Sequence, residues 1–119
     1  MRLTSHFDSS EFACGCGCGY DDVSPAHVEK LEMARVDANV PFHVNSGCRC
    51  ISHNSKVGGV DDSEHLTGEG SDIKTTGSRD RFLIINALIR AGFNRIGIAK
   101  TFIHAGSAPD KVKKVIWVY

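Results

Sequence analysis

The chain predicts an α+β fold, a small and mainly antiparallel sheet with helices packed on it, from three features. Residues 25–36 and 79–91 carry apolar side chains at helical spacing. Short segments at residues 40–46, 72–74, 95–98, 101–104 and 114–119 are β-branched, aromatic or alternating, as strands require. No internal repeat or low-complexity tract interrupts them, apart from the C-G-C-G-C-G run at residues 14–19.

The elements follow in order. Asp8, Ser9 and Ser10 ahead of Glu11 and Phe12 offer oxygens to the free amides of a short helical turn that stops at the glycines. Ser24 is an N-cap before a proline, the residue best suited to a first helical position, and Val28, Leu31 and then Ala34 or Arg35 continue the spacing. Phe42 and Val44 alternate with His43 and Asn45 as a half-buried strand would, and Gly47 begins its exit. A short helix or turn is expected over residues 50–57. Gly58, Gly59, Asp61 and Asp62 then form a flexible approach to residues 63–72, which read as loop until the strand at 72–74. Ser78 is expected to cap the next helix, with Phe82, Ile85, Leu88 and Ile89 on its packed face and Gly92 as its stop. The final strand alternates around Val115, Trp117 and Tyr119.

Length and charge limit the function classes. A chain of 119 residues has room for one domain, spanning residues 1–119, and one core. Hydrophobic residues at 41% and charged residues at 24% are the balance of a folded globular protein. Lys plus Arg and Asp plus Glu are 14 each, so no net field draws the chain to nucleic acid or to an anionic membrane. The apolar stretches at residues 82–91 and 112–119 are broken by Asn86, Arg90 and a lysine pair and are too short to span a bilayer. Residues 1–10 carry one arginine and no apolar run, so no Sec export signal is expected. A monomer is expected.

The chemistry concentrates in S-E-H-L-T-G-E-G-S-D, residues 63–72. His65 and Asp72 stand seven residues apart across Gly68 and Gly70, which leave the backbone free to turn both side chains toward one point. Zinc (Zn2+) in a hydrolytic site takes three protein donors of nitrogen, sulfur or carboxylate type and keeps one position open. His104, on the apolar strand T-F-I-H-A-G, is a third donor of the right kind. A hydrogen-bonded core histidine is the plainer reading of it taken alone.

Segment 63–72 is similar to the S-x-H-x-x-G-x-A-x-D signature of the M15 zinc peptidases, the D,D-carboxypeptidase and L-alanyl-D-glutamate endopeptidase family, with Gly70 where that family usually has alanine. S-G-C-R-C-I-S-H-N, residues 46–54, resembles the family's S-G-x-R segment, and F-I-H, residues 102–104, stands in the place of its last ligand strand. The resemblance runs in order from about residue 3 to 119. It implies a Hedgehog/D,D-peptidase-like fold, a zinc ion on His65, Asp72 and His104, and Arg49 beside the substrate or its oxyanion. The implied reaction is hydrolysis of peptidoglycan stem peptides by a phage or bacterial protein, delivered to the wall by lysis or in a particle. Ser63 would orient the loop or a ligand, although a turn hydroxyl serves equally well.

One departure matters. Active relatives place an acid three positions before the last histidine or an aspartate two positions after it, where this chain has Thr101 and Gly106. Glu69 and Asp110 are the carboxylates nearest in sequence that would substitute as general base, against a plainer reading of each as solvated loop charge. A zinc-binding cell-wall-binding or virion structural protein of the same fold is therefore the alternative to an enzyme.

Cys14, Cys16, Cys18, Cys48 and Cys50 cluster as C-x-C-x-C and C-x-C, unlike the C-x-x-C of standard zinc knuckles. Reduced buried thiols, disulfides between the clusters and a structural metal stay open as readings. A redox or iron protein built on these cysteines is a third functional possibility. His27 is expected on a helix surface, and His53 in a cap or turn hydrogen bond near Arg49.

Overall fold

A computed structural model describes residues 1–119. After a 3-10 turn at Ser9–Phe12 come helix α1 (Pro25–Ala38), strand β1 (Val44–Ser46), helix α2 (Ile51–Lys56) and a second 3-10 turn at Glu64–Thr67. Strand β2 (Gly70–Lys74), helix α3 (Ser78–Arg90) and strands β3 (Arg95–Ile98), β4 (Phe102–Gly106) and β5 (Val115–Val118) complete the chain. The sheet order is β1-β2-β4-β3-β5, antiparallel throughout except for the parallel β3–β5 pair. The α+β class with a mainly antiparallel sheet is the one the sequence predicts.

Local signals set most boundaries. Ser24 caps α1 by accepting the His27 amide at 3.4 Å, and the helix runs two residues past the predicted end to Ala38, where the left-handed backbone of Asn39 (φ 54°) stops it. Gly77, not Ser78, occupies the N-cap of α3, and Ser78 is the first helical residue. The inward stripe of α3 is Ile84, Ala87 and Leu88, while Phe82 and Ile89 are exposed. That stripe carries the small Ala87 into the core shared with Ala34 and Ala38 of α1, so the bulkier edge of the helix stays outside. The strand predicted over residues 40–46 contracts to its last three, and Phe42 is buried ahead of it in irregular chain after Pro41.

Strand parity divides the sheet into two unlike faces. Ile73 opposite Ile103 and Ile96 opposite Ala105 point into a core cluster of 17 buried residues with Phe7, Phe12, Leu31, Leu88 and Phe93. Asp72 opposite His104, with Gly97 on the far side of His104, lie on the other face. Helices therefore cover one side, and the sheet presents its polar pairs on the other.

His27 is fully buried rather than on a helix surface, because residues far along the chain meet it. Its Nδ1 lies 2.7 Å from Ser107 Oγ and its Nε2 2.8 Å from Ser71 Oγ, so hydroxyls partner both nitrogens of a neutral ring. Burial first, then the charge of His104, pushes its pKa from 6.5 down to about 3. Below 6.5 the unfolded chain takes up a proton that the folded chain refuses, so stability falls as pH drops from 6.5 toward 3. The slope from this group reaches about 1.4 kcal/mol per pH unit. Urea unfolding of wild type and His27→Gln at pH 7 and pH 4 is expected to show a shallower acid loss in the variant; equal losses would remove His27 from the account.

Candidate metal centre

The loop before β2 is shaped to aim His65. Ser63 Oγ accepts the His65 amide at 3.2 Å and starts the 3-10 turn. Gly68 ends it with φ 72°, where a Cβ would also stand 2.4 Å from the Asp22 carbonyl oxygen. The chain then enters β2 at Gly70, two residues earlier than predicted, and two residues on it presents Asp72 beside the His65 ring.

Three donors meet there. His65 Nε2 lies 3.2 Å and His104 Nδ1 2.9 Å from the same Asp72 Oδ1, and all three side chains are buried. The outer nitrogen of each ring is already committed. His65 Nδ1 is 2.6 Å from the Gly47 carbonyl, which can only accept, so that nitrogen carries the hydrogen and Nε2 keeps its lone pair. His104 Nε2 is 3.0 Å from Glu64 Oε1, which likewise assigns the hydrogen outward and leaves Nδ1 directed at Asp72. Two lone pairs and a carboxylate oxygen converging within about 3 Å repel one another unless a positive charge sits among them. A tetrahedron with metal–donor distances of about 2.05 Å has edges of about 3.3 Å, close to these separations. The donor set fits a zinc-like divalent ion.

The same contacts set the proton affinities of the two groups. Burial opposes charge on His104, but hydrogen bonds to Asp72 and Glu64 outweigh it and raise the imidazole above its ordinary value. Asp72 is likewise opposed by burial, yet its bonds from His104 and His65 hold it well below the usual carboxylate range.

The surrounding shell is charged and tightly paired. Arg49 Nη2 is 3.4 Å from Asp72 Oδ2, its Nε donates to Ser46 Oγ at 3.1 Å, and its Nη1 donates to Asn54 Oδ1 at 3.2 Å. Asn54 in turn donates to the Val60 carbonyl at 2.8 Å, which fixes the approach loop. Glu64 Oε2 accepts the Ala108 amide at 3.0 Å and lies 3.1 Å from Arg95 Nε, an ion pair off the hydrogen-bond direction. A Cβ on Gly106 would fall 2.2 Å from Glu64 Oε1, so the missing side chain at position 106 is the space the Glu64 carboxylate fills. A Cβ on Gly70 would stand 2.9 Å from both His104 Cε1 and Glu64 Cβ, so glycine leaves the room these side chains take.

A cleft of about 530 Å³ opens over these residues. Phe102, Trp117 and Tyr119 form its apolar wall, with Trp117 5.5 Å from the His104 ring and Arg95 5.3 Å above the Trp117 ring. Gly97 makes room for that indole, since its Cβ would meet Trp117 Nε1 at 2.5 Å.

The family profile described as Peptidase M15 matches residues 5–106, which span all three converging donors, Arg49 and Glu64. The chain belongs to the peptidase M15 family. No curated protein matched it. As an M15 member it carries Arg49 in the cleft wall, whereas Glu69 and Asp110 do not line the cleft. Glu69 accepts from Thr67 at 2.7 Å and Asp110 is exposed. Glu64 and Arg95 are the residues that sequence reasoning missed. Glu64 stands at the variable position of S-x-H and reads there as loop charge; the available signal was the glycine at 106, an absent side chain on a strand otherwise filled.

Proposed function

We propose that this M15 chain, residues 1–119 as one domain, is a zinc-dependent peptidase acting on peptidoglycan stem peptides, with His65, Asp72 and His104 as the zinc ligands. The observation that carries this reading is the convergence of two imidazole lone pairs on one carboxylate oxygen, each ring fixed from behind by a dedicated acceptor. Bound zinc would supply Lewis-acid polarisation of a peptide carbonyl and bring the pKa of water toward neutrality.

The chain's own residues do the rest. Gly47 and Glu64 hold the two rings in the ligating tautomers. Arg49, already beside Asp72 at the cleft wall, offers the guanidinium that a stem-peptide carboxylate or a developing oxyanion would use. The wall of Phe102, Trp117 and Tyr119 gives the apolar part of a peptide a surface that excludes water. Arg49→Lys is expected to raise KM for carboxylate-bearing peptides about 10- to 100-fold, the worth of a hydrogen bond to a charged group, with zinc content unchanged. Steady-state kinetics beside metal analysis checks this, and an unchanged KM would remove Arg49 from substrate binding.

Proton transfer is the weak point of the site. Of the carboxylates lining the cleft, Asp72 and Glu64 are engaged by histidines, and Asp62 pairs with Lys111 at 3.0 Å on the surface. A positioned general base is worth ~10²- to 10⁴-fold, so a slow peptidase is expected. The same feature supports a second reading, a zinc-binding wall-binding or virion protein of this fold. Incubation of the zinc-loaded protein with purified murein, followed by assay of new amino termini, separates the two. Release above a His65→Ala control is expected, and none above that control would reject the enzyme. Action on the wall would follow lysis or delivery in a particle.

A further inference from the structure

Away from the histidine site, Cys14, Cys16, Cys18 and Cys50 bring their sulfurs within 4.8 Å of one another. The Sγ separations are 3.5 Å for Cys14–Cys16, 3.7 Å for Cys16–Cys50 and 3.9 Å for Cys14–Cys50. A zinc tetrathiolate with bonds of about 2.3 Å has edges of about 3.8 Å. A disulfide needs sulfurs about 2.05 Å apart, and all five cysteines of the chain are free.

The backbone is wound to make this grouping. Gly17 (φ 81°) and Gly19 (φ 90°) take left-handed turns between and after the N-terminal cysteines, and the Cys14 amide closes the loop on the Tyr20 carbonyl at 2.8 Å. Two further amides point at sulfur, Cys50 N–H at Cys14 Sγ and His53 N–H at Cys50 Sγ, each at 3.4 Å. Cys48 is buried but is not one of the four.

We propose that Cys14, Cys16, Cys18 and Cys50 form a second metal site, a closed tetrathiolate for zinc or another thiophilic divalent ion. With four protein donors it has no open position and serves structure rather than catalysis. It ties the 14–18 loop, which lies outside every helix and strand, to the segment that carries Gly47 and Arg49. Those two hold His65 and Asp72 from behind, so the ion steadies the outer shell of the histidine site; that last link alone rests on the peptidase reading.

Cobalt substitution of the full chain tests the site. Sulfur-to-cobalt charge-transfer absorption in the near ultraviolet is expected in wild type and in His104→Ala, and is expected to vanish in Cys16→Ser. Zinc analysis is expected to show each of these two variants lacking one metal equivalent relative to wild type. Should Cys16→Ser fail to fold, the wild-type and His104→Ala spectra still decide. A wild-type cobalt protein without thiolate bands, bands that disappear in His104→Ala, or a native mass lower by two hydrogens per bridge among these cysteines would each overturn the proposal. Thiolate bands without murein hydrolysis would uphold this site and reject the peptidase, and murein hydrolysis without the bands would do the reverse.

Discussion

Asp72→Ala is expected to abolish zinc binding at the histidine site and reduce murein hydrolysis to the level of the His65→Ala control. Asp72 Oδ1 is the one atom that both imidazoles face, at 3.2 and 2.9 Å, and Oδ2 anchors Arg49. Loss of an outer partner of a metal ligand typically costs 10- to 100-fold in affinity, on the order of the smallest effect a lost ligand can have. The variant also removes one charged partner of the half-buried Arg49 guanidinium, which keeps its bonds to Ser46 and Asn54, so a loss of ~1–3 kcal/mol is expected. Competition with a chromophoric chelator measures the first effect and urea unfolding the second. Retention of near-wild-type zinc affinity would mean that Asp72 is not a ligand.

The second large effect concerns a glycine. In Gly106→Ala the new methyl would stand 2.2 Å from Glu64 Oε1 and 2.5 Å from Glu64 Cδ, and because position 106 is held in register with β2 and β3, the Glu64 side chain is what must move. Glu64 is expected to leave its place, losing its bonds to His104 and the Ala108 amide and its pairing with Arg95 together. A destabilisation of ~3–5 kcal/mol is expected from breaking this buried charge cluster. Zinc affinity is expected to fall about 10- to 100-fold as His104 loses the acceptor that fixes its tautomer. Glu64→Ala relieves the clash, so the double variant is expected to be no worse than Glu64→Ala alone, a coupling that a double-mutant cycle reads directly. Additive losses would show that the carboxylate does not occupy the space beside Gly106.

What could be read in the chain divides along range of interaction. The start of α1 was legible because a cap acts over three or four residues, as Ser24 does on His27, whereas its end at Asn39 and the Gly77 cap of α3 were not. His65 and Asp72 were legible as a pair because they are close in sequence and separated by glycines. His104 was legible as a third donor only through the ordered motifs of the family, since a lone histidine on an apolar strand has a simpler reading. Glu64 was not legible, because its partners Arg95, His104 and Ala108 lie at least 31 positions away and only sheet register brings them to it. His27 was misread for the same reason: its partners Ser71 and Ser107 are on distant segments. Phe82 and Ile89 were assigned to the packed face of α3 by their spacing with Ile85 and Leu88, but packing buries the stripe containing Ile84 and Ala87. The C-x-C spacings of the cysteines left three readings open, and the fold reduces them by bringing Cys50 to the N-terminal three.

Diffraction from zinc-loaded crystals at wavelengths on either side of the zinc absorption edge addresses the metal centre most directly. An anomalous peak bonded to His65 Nε2, Asp72 and His104 Nδ1 is expected, with one position left to solvent or substrate and Glu64 held behind His104. No peak at that point, or one bonded to Glu64 in place of His104, would contradict that ligand set.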